Sequence, residues 1–174
     1  MIIMAGTLKI LSLNIGMSEN LAGLTAIIRD KNPDLIFLQE VRVSTEQLLS
    51  RVGMLGYLAE ANISDEDSSK PGTALVWKTC YPVHSLSVLV QCRCQVAFLD
   101  TYLLVNIYAH SGSDMKIERG NLFSNDVFQF LSIHVSSYSL ILGGDFNSVL
   151  SAMDIENGVG FSQKFCLQLA SLGQ

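Results

Sequence analysis

The amino-acid sequence predicts an α/β fold in which helices cover β-sheet, and three observations lead to that prediction. Apolar residues make up 49% of the 174 residues and charged residues only 16%, which is enough for a domain with a real core. A strand, a helix and a second strand follow one another within the first 40 residues. From Thr73 onward the pattern turns to β. Since no repeat or linker divides the chain, residues 1–174 are expected to form a single domain.

The first three elements predict a βαβ unit. Residues 8–13 form a short apolar run with the length and flanks of a strand. Residues 18–31 carry the apolar stripe of an amphipathic helix, which Asn32 and Pro33 end. Residues 35–38 form the next apolar run. Two strands joined by one helix are expected to be parallel or to share one sheet.

The rest of the chain predicts further strands and helices. A weaker helix is expected over residues 45–52, and the polar segment at 64–72 predicts a loop. The segments TALVWK, HSLSVLVQCRCQVAFLD and TYLLVNIYA predict an antiparallel set of strands. Residues 118–135 predict a helix, 139–142 a strand, and 162–172 one more helix.

Charge and targeting signals limit the classes of function. The 11 basic and 16 acidic side chains give a net charge of −5, which argues against a broad basic face that grips nucleic acid. If the substrate is a phosphate ester, a bound cation would have to supply part of the positive charge. The apolar start has neither a basic region nor a cleavage site, and no stretch is long enough to span a bilayer. We therefore expect an intracellular protein, nuclear or cytoplasmic, that is not secreted and has no membrane partner.

Polar side chains follow four of the apolar runs at the point where each run ends. These side chains are Asn14, Glu40, Tyr108, Asp145 and Asn147. In sheets covered by helices, ligands bind beyond the carboxyl ends of the strands, because the loops converge there. Each residue alone also fits a purely structural role, as a turn former, a solvated acid or a half-buried aromatic. Together they predict a functional site at one end of the sheet.

The chemistry of this set points to metal-assisted hydrolysis of a phosphodiester. Mg²⁺ takes one or two carboxylates together with waters and substrate phosphate, and Glu40 and Asn14 suit that role. Asp145 would orient or deprotonate a water, while Asn147 and Tyr108 would donate hydrogen bonds to phosphate oxygens. A P-loop is excluded because GGDFNSVL lacks the Gly-Lys-Ser/Thr ending.

Two glycines, one histidine and the cysteines are predicted to have structural roles or a role that the sequence leaves open. Gly143 and Gly144 are expected to let the backbone turn sharply and let substrate approach closely. His110 lies two residues after Tyr108 and could reach the edge of the same site. The alternative interpretation is a loop histidine without a functional role. The cysteines show no CxxC pair and are expected to be structural, with Cys92 and Cys94 on one face of a strand.

Five segments in this order resemble a known family: LSLNIG, DLIFLQE, GTALVWK, VNIYAHSGS and GGDFNSVL. The chain is similar to the endonuclease/exonuclease/phosphatase superfamily, and most similar to the apurinic-type endonuclease domains of LINE (non-LTR) retrotransposons. The pair Glu118 and Arg119, and Asp154 after GDFN, strengthen the likeness.

The resemblance implies a fold, a cofactor and a partner. The fold is a four-layer α/β/β/α sandwich of two facing β-sheets. By position, Asn14 and Glu40 match the metal-binding residues, and Tyr108, Asp145 and Asn147 match the catalytic ones. The cofactor implied is Mg²⁺, with Mn²⁺ as an alternative. The partner implied is DNA, and the domain would stand beside a reverse transcriptase in a longer parent polypeptide.

The sequence also departs from the family pattern. Members carry a Ser-Asp-His segment well after GDFN, and no Ser-Asp-His occurs in the 174 residues. His110 stands where the family usually has proline. We therefore expect the C-terminal strands to be missing, the sheet to be incomplete and the isolated chain to be poorly soluble or unstable. We also expect it to nick DNA little or not at all, because such catalytic groups act as a unit.

Two alternatives remain beside a LINE-type endonuclease. One keeps the fold and changes the substrate to a phosphoinositide, a sphingolipid or an RNA tail. The other is an inactive remnant that retains at most metal or phosphate binding.

Overall fold

A computed structural model of the chain describes residues 7–16, 21–64, 66–67, 69–112 and 114–147, and two four-stranded β-sheets face each other within these ranges. The helix predicted at 162–172 and Asp154 lie outside the described residues. Each sheet contributes half of the candidate site.

The first sheet contains strands β1 (Ile10–Asn14), β2 (Leu35–Val41), β3 (Tyr57–Asn62) and β4 (Gly72–Lys78), in the order β1-β2-β4-β3. Strands β1 and β2 are parallel, whereas β4 is antiparallel to both of its neighbours. Helices α1 (Ala22–Lys31) and α2 (Thr45–Val52) pack on the outer face of this sheet through a shared apolar cluster. The predicted βαβ unit is therefore confirmed, and β3 is a strand that the sequence reasoning missed.

The second sheet contains strands β5 (Val83–Val90), β6 (Cys94–Leu99), β7 (Tyr102–Tyr108) and β8 (Ser139–Asp145), in that order. Strands β5, β6 and β7 are antiparallel, and β8 runs parallel to β7. Helix α3 (Lys116–Asn121), a π-helical segment (Leu122–Val127) and helix α4 (Phe128–His134) follow one another and include the apolar side chains that cover this sheet. The predicted antiparallel set is therefore divided, because TALVWK lies in the first sheet.

The space between the sheets is filled by alternate residues of the central strands. On β2, Leu35 and Phe37 point toward the second sheet, whereas Ile36 and Leu38 point toward α1 and α2. The inner layer also includes Leu75, Trp77, Leu99 and Leu104. Helices, sheet, sheet and helices thus form four layers, which confirms the predicted sandwich.

None of the helices in the described ranges is both long and apolar enough to cross a membrane. Cys80, Cys92 and Cys94 are free thiols, the first exposed and the other two buried. Cys92 lies in the turn between β5 and β6 with φ of 60°, so the expectation that it shares a strand face with Cys94 is wrong.

Candidate active site

The candidate site lies where β1, β2, β7 and β8 end, at one end of the sandwich. Strand pairing places Asn14 opposite Gln39, the neighbour of Glu40, and places Tyr108 opposite Asp145. The Asn14 side chain joins the two sheets. Its Nδ2 donates to Glu40 Oε1 over 2.8 Å and to Asp145 Oδ2 over 2.9 Å. One amide nitrogen is therefore shared by two carboxylates from strands of different sheets.

Glu40 reaches this position through an irregularity in β2. The register between β2 and β4 shifts between Gln39 and Val41, and Glu40 has φ of 58°. A bulge of this kind adds a residue to one strand and redirects its side chain. A left-handed backbone at a residue other than glycine costs about 1–3 kcal/mol, and such conformations cluster at functional sites.

The segment after β8 is tied to the loop after β7. Asn147 N donates to Asp145 Oδ1 over 3.0 Å, a short side-chain turn that suits the left-handed φ of 44° at Asn147. Asn147 Nδ2 donates to Ala109 O over 2.8 Å, and Ala109 N donates to Asp145 O over 2.8 Å. Asp145 is thus fixed by bonds to its backbone and to both of its carboxylate oxygens.

The two glycines before Asp145 serve close packing within the protein. Strand β8 continues through both of them, so the sharp turn expected there is wrong. A Cβ on Gly143 would lie 2.6 Å from Phe37 Cδ2, and one on Gly144, at φ of 138°, would lie 1.9 Å from Ile107 O. The absent side chains allow β8 to approach β7 and the facing sheet, which places Asp145 beside Tyr108.

Tyr108 is nearly buried and is covered by an arginine that the sequence reasoning did not single out. Arg93 Cζ lies 4.6 Å from the centre of the Tyr108 ring, and Tyr108 N donates to Arg93 O over 2.8 Å. Burial raises the pKa of Tyr108 above its ordinary value, and the charges of Glu40 and Asp145 add to this, while Arg93 opposes them. Tyr108 is therefore a neutral phenol at pH 7 and can donate a hydrogen bond. The only sequence signal for Arg93 is a basic residue in a short turn between two strands.

The loop that follows Tyr108 is held by Arg119, which is buried. Its guanidinium donates to His110 O over 2.6 Å and to Gly112 O over 3.2 Å. Burial lowers the pKa of His110, and the charge of Arg93 lowers it further. His110 Nδ1 is buried and has no hydrogen-bond partner among the described residues. Contact of His110 with a substrate stays a prediction.

The donor set around Asn14 fits a hard divalent cation. Glu40 Oε1 and Asp145 Oδ2 both lie within 2.9 Å of Asn14 Nδ2. Within the described ranges no lysine or arginine forms an ion pair with Glu40 or Asp145. No group of three or more His, Cys, Asp or Glu side chains suited to a metal occurs in the part of the chain that the structure describes. Mg²⁺ does not need one, because it usually binds through one or two carboxylates and keeps several waters. Asn14 Oδ1 accepts from Gly16 N over 2.8 Å, so its amide oxygen faces away from the carboxylates.

Comparison with known proteins bears on the family and the fold. A profile of the Endonuclease/Exonuclease/phosphatase family matches residues 11–163. No curated protein sequence is significantly similar to the chain.

Several solved structures share the fold. The 3′ phosphatase NExo from Neisseria, bound to a product DNA hairpin, has a TM-score of 0.75 at 19% identity, over 95% of this chain and 71% of that one. An AP endonuclease from Archaeoglobus fulgidus has a TM-score of 0.70 at 16% identity, over 95% of this chain and 70% of that one. TDP2 from C. elegans has a TM-score of 0.65 at 19% identity, over 86% of this chain and 50% of that one. At these sequence identities, the structural similarity shows that this chain shares the fold of these proteins.

Proposed function

The chain belongs to the Endonuclease/Exonuclease/phosphatase family, and we propose that it hydrolyses phosphodiester bonds with a divalent cation bound between Asn14, Glu40 and Asp145. The observation that carries this proposal is the shared hydrogen bonding of the Asn14 amide to the two carboxylates. Two negative charges held this close repel each other, and an added positive charge relieves that repulsion. The Asn14 amide supplies only partial positive charge, so a cation in its place would offset more of the repulsion between the two carboxylates.

The proposed cofactor is Mg²⁺, with Mn²⁺ as a substitute, because both prefer oxygen ligands. Glu40 would bind it directly, and Asn14 would join through Oδ1 once its amide turns. When bound, the cation would polarise the phosphate and offset its charge. This contribution fits an acidic chain that has few basic residues to offer to a phosphate ester.

The remaining residues are assigned by the groups that they present. Asp145 would accept a proton from the attacking water on Oδ2, since Asn147 N holds its other carboxylate oxygen, Oδ1, in place. Tyr108 would donate its phenolic hydrogen to a phosphate oxygen. Asn147 Nδ2 donates one amide hydrogen to Ala109 O, and its second amide hydrogen would be donated to the substrate.

We propose DNA as the substrate. Two proteins with the same fold support this choice, one named as a 3′ phosphatase bound to a DNA hairpin and one as an AP endonuclease. The order of the five family-like segments supports the narrower proposal of a LINE-type endonuclease located inside the cell. An open reading frame that continues from Gln174 into a reverse transcriptase would support that origin. A frame without one would count against it.

A plasmid nicking assay tests the hydrolytic function. The chain should be used in excess over supercoiled DNA, so that a slow reaction is also detected. We expect nicking that needs Mg²⁺ and falls about tenfold or more in Glu40→Gln and Asp145→Asn. Asp100→Asn removes an exposed carboxylate from the turn at the opposite end of the sandwich, so it should leave the rate unchanged.

Three results would redirect the proposal. Nicking that persists in Glu40→Gln or in EDTA would contradict the metal-dependent mechanism. Metal binding without nicking would favour the inactive remnant. Cleavage of RNA, a phosphoinositide or a sphingolipid in place of DNA would keep the chemistry and change the substrate.

A further inference from the structure

A row of buried amides lies between the two sheets, directly below the candidate site. Each of the four is at most 1% exposed, and they are Gln39, Asn62, Gln95 and Asn106. The core between facing sheets is usually apolar, because a buried amide costs free energy unless its hydrogen bonds are made. A polar row at this level therefore needs an explanation beyond packing.

Two of these amides bond to each other across the gap between the sheets. Gln39 Nε2 on β2 donates to Asn106 Oδ1 on β7 over 2.9 Å. Asn106 Nδ2 in turn donates to Leu38 O over 3.0 Å and to Ala74 O over 2.9 Å. Asn106 thus uses both of its donor hydrogens on strands of the opposite sheet.

The acceptors of Asn106 lie beside the bulge that redirects Glu40. Leu38 is two residues before Glu40 on β2, and Ala74 on β4 is the strand partner of Leu38. A bulge interrupts the ladder of backbone hydrogen bonds, and buried backbone groups need other partners there. Asn106 donates to backbone oxygens beside this interruption, so its side chain ties strand β7 to the β2–β4 pair next to the bulge.

The amide pair lies close to the site residues in sequence and in strand register. Glu40 follows Gln39 in sequence, and Asn14 is the strand partner of Gln39. Tyr108 lies two residues after Asn106. Asp145 likewise lies two residues after Gly143, the strand partner of Asn106. The pair therefore connects the strands that carry each half of the site.

We propose that Gln39 and Asn106 are positioning residues, which set the separation between the Asn14–Glu40 half of the site and the Tyr108–Asp145 half. The proposal rests on the proposed function only where it concerns the cation. If the separation grows, Asn14 can no longer bond to both carboxylates, and a cation loses one of the oxygens that would surround it.

Three near-isosteric variants separate positioning from general stability. Gln39→Met and Asn106→Leu remove the bridge while keeping the side-chain volume close to native. Gln95→Met is the matched control, because Gln95 is an equally buried amide whose Nε2 donates to Glu60 O over 3.2 Å, between strands that carry no site residue. A double variant, Gln39→Asn together with Asn106→Gln, swaps the two residues, retains an amide pair and serves as the rescue variant.

Two readouts are needed, and the first requires no cation. The Asn14 side-chain NH₂ signals in a ¹H–¹⁵N spectrum report the bonds to both carboxylates, through their chemical shifts and their protection from exchange. We expect these signals to lose protection in Gln39→Met and Asn106→Leu, and to stay native in Gln95→Met. Mn²⁺ affinity should fall about tenfold in the first two variants and by less than twofold in the control. The rescue variant should recover most of both losses.

The outcomes distinguish this proposal from the function on which it partly rests. Native Asn14 signals in both bridge variants would overturn the positioning role, as would an equal change in Gln95→Met. If the native chain binds no Mn²⁺, the proposed function fails, and the Asn14 signals still decide the positioning role. If Asn106→Leu does not fold, Gln39→Met decides, because it leaves the two bonds from Asn106 to the backbone in place.

Discussion

Replacing Gly144 with alanine should open the seam between β7 and β8. The new Cβ would lie 1.9 Å from Ile107 O, whereas ordinary contact begins near 3.4 Å, so the strands would have to separate by about 1.5 Å. Such a shift would break about two ladder hydrogen bonds, at about 1 kcal/mol each. The backbone at φ of 138° adds about 1–3 kcal/mol of strain for any residue other than glycine. We therefore expect the free energy of unfolding to fall by about 3 kcal/mol or more.

Urea unfolding monitored by circular dichroism measures this loss, and Gly23→Ala is the matched control. Gly23 lies in α1 with nothing within 4 Å of its added Cβ, so alanine there should stabilise the protein by about 0.5–1 kcal/mol. A loss below about 1 kcal/mol in Gly144→Ala would refute the close approach of β8 to β7. It would also remove the reason for the position of Asp145, the next residue.

Two further predictions concern groups away from the site. Asp34 is partly buried, which raises its pKa, but hydrogen bonds from Lys78 and from the backbone of Lys9 lower it more, so the net shift is downward. The ion pair should thus stabilise the protein fully above about pH 4 and lose its effect as pH falls through the lower folded-state pKa. Asp34→Asn should lower the free energy of unfolding by about 2 kcal/mol at pH 7. A difference in stability between this variant and the native protein that does not shrink in acid would contradict this. Burial raises the pKa of Cys94 to about 12, so pulsed alkylation at pH 8 followed by mass spectrometry should label the exposed Cys80 at once and Cys94 only after unfolding. Rapid labelling of Cys94 in the native protein would show that it is not buried.

The sequence predicted those parts of the fold that depend on local pattern. Periodicity identified β1, α1 and β2 and predicted that the two strands would be parallel or share one sheet, and the structure shows that they do both. It missed β3, whose segment YLAEAN mixes small and acidic residues. It also placed β4 with the later strands, since alternation does not show which of two sheets a strand joins.

The same division holds for the site. Polar residues after apolar runs predicted that Asn14, Glu40 and Asp145 would meet, and in the structure the Asn14 amide contacts both carboxylates. The bulge at Glu40 and the bridge from Asn106 depend on register between distant strands. A linear pattern does not specify such register, so these features became visible only in three dimensions.

The most direct test of the metal-dependent account is a Mn²⁺ titration of the native chain and of Glu40→Gln, with Asp100→Asn as the control. Electron paramagnetic resonance measures free Mn²⁺, and competition with Mg²⁺ shows whether the two ions share a site. We expect the native chain and Asp100→Asn to bind Mn²⁺ equally and to release it to Mg²⁺. Glu40→Gln should bind about tenfold more weakly or worse. Equal affinity in Glu40→Gln, or no binding by the native chain, would contradict a cation site at Asn14, Glu40 and Asp145.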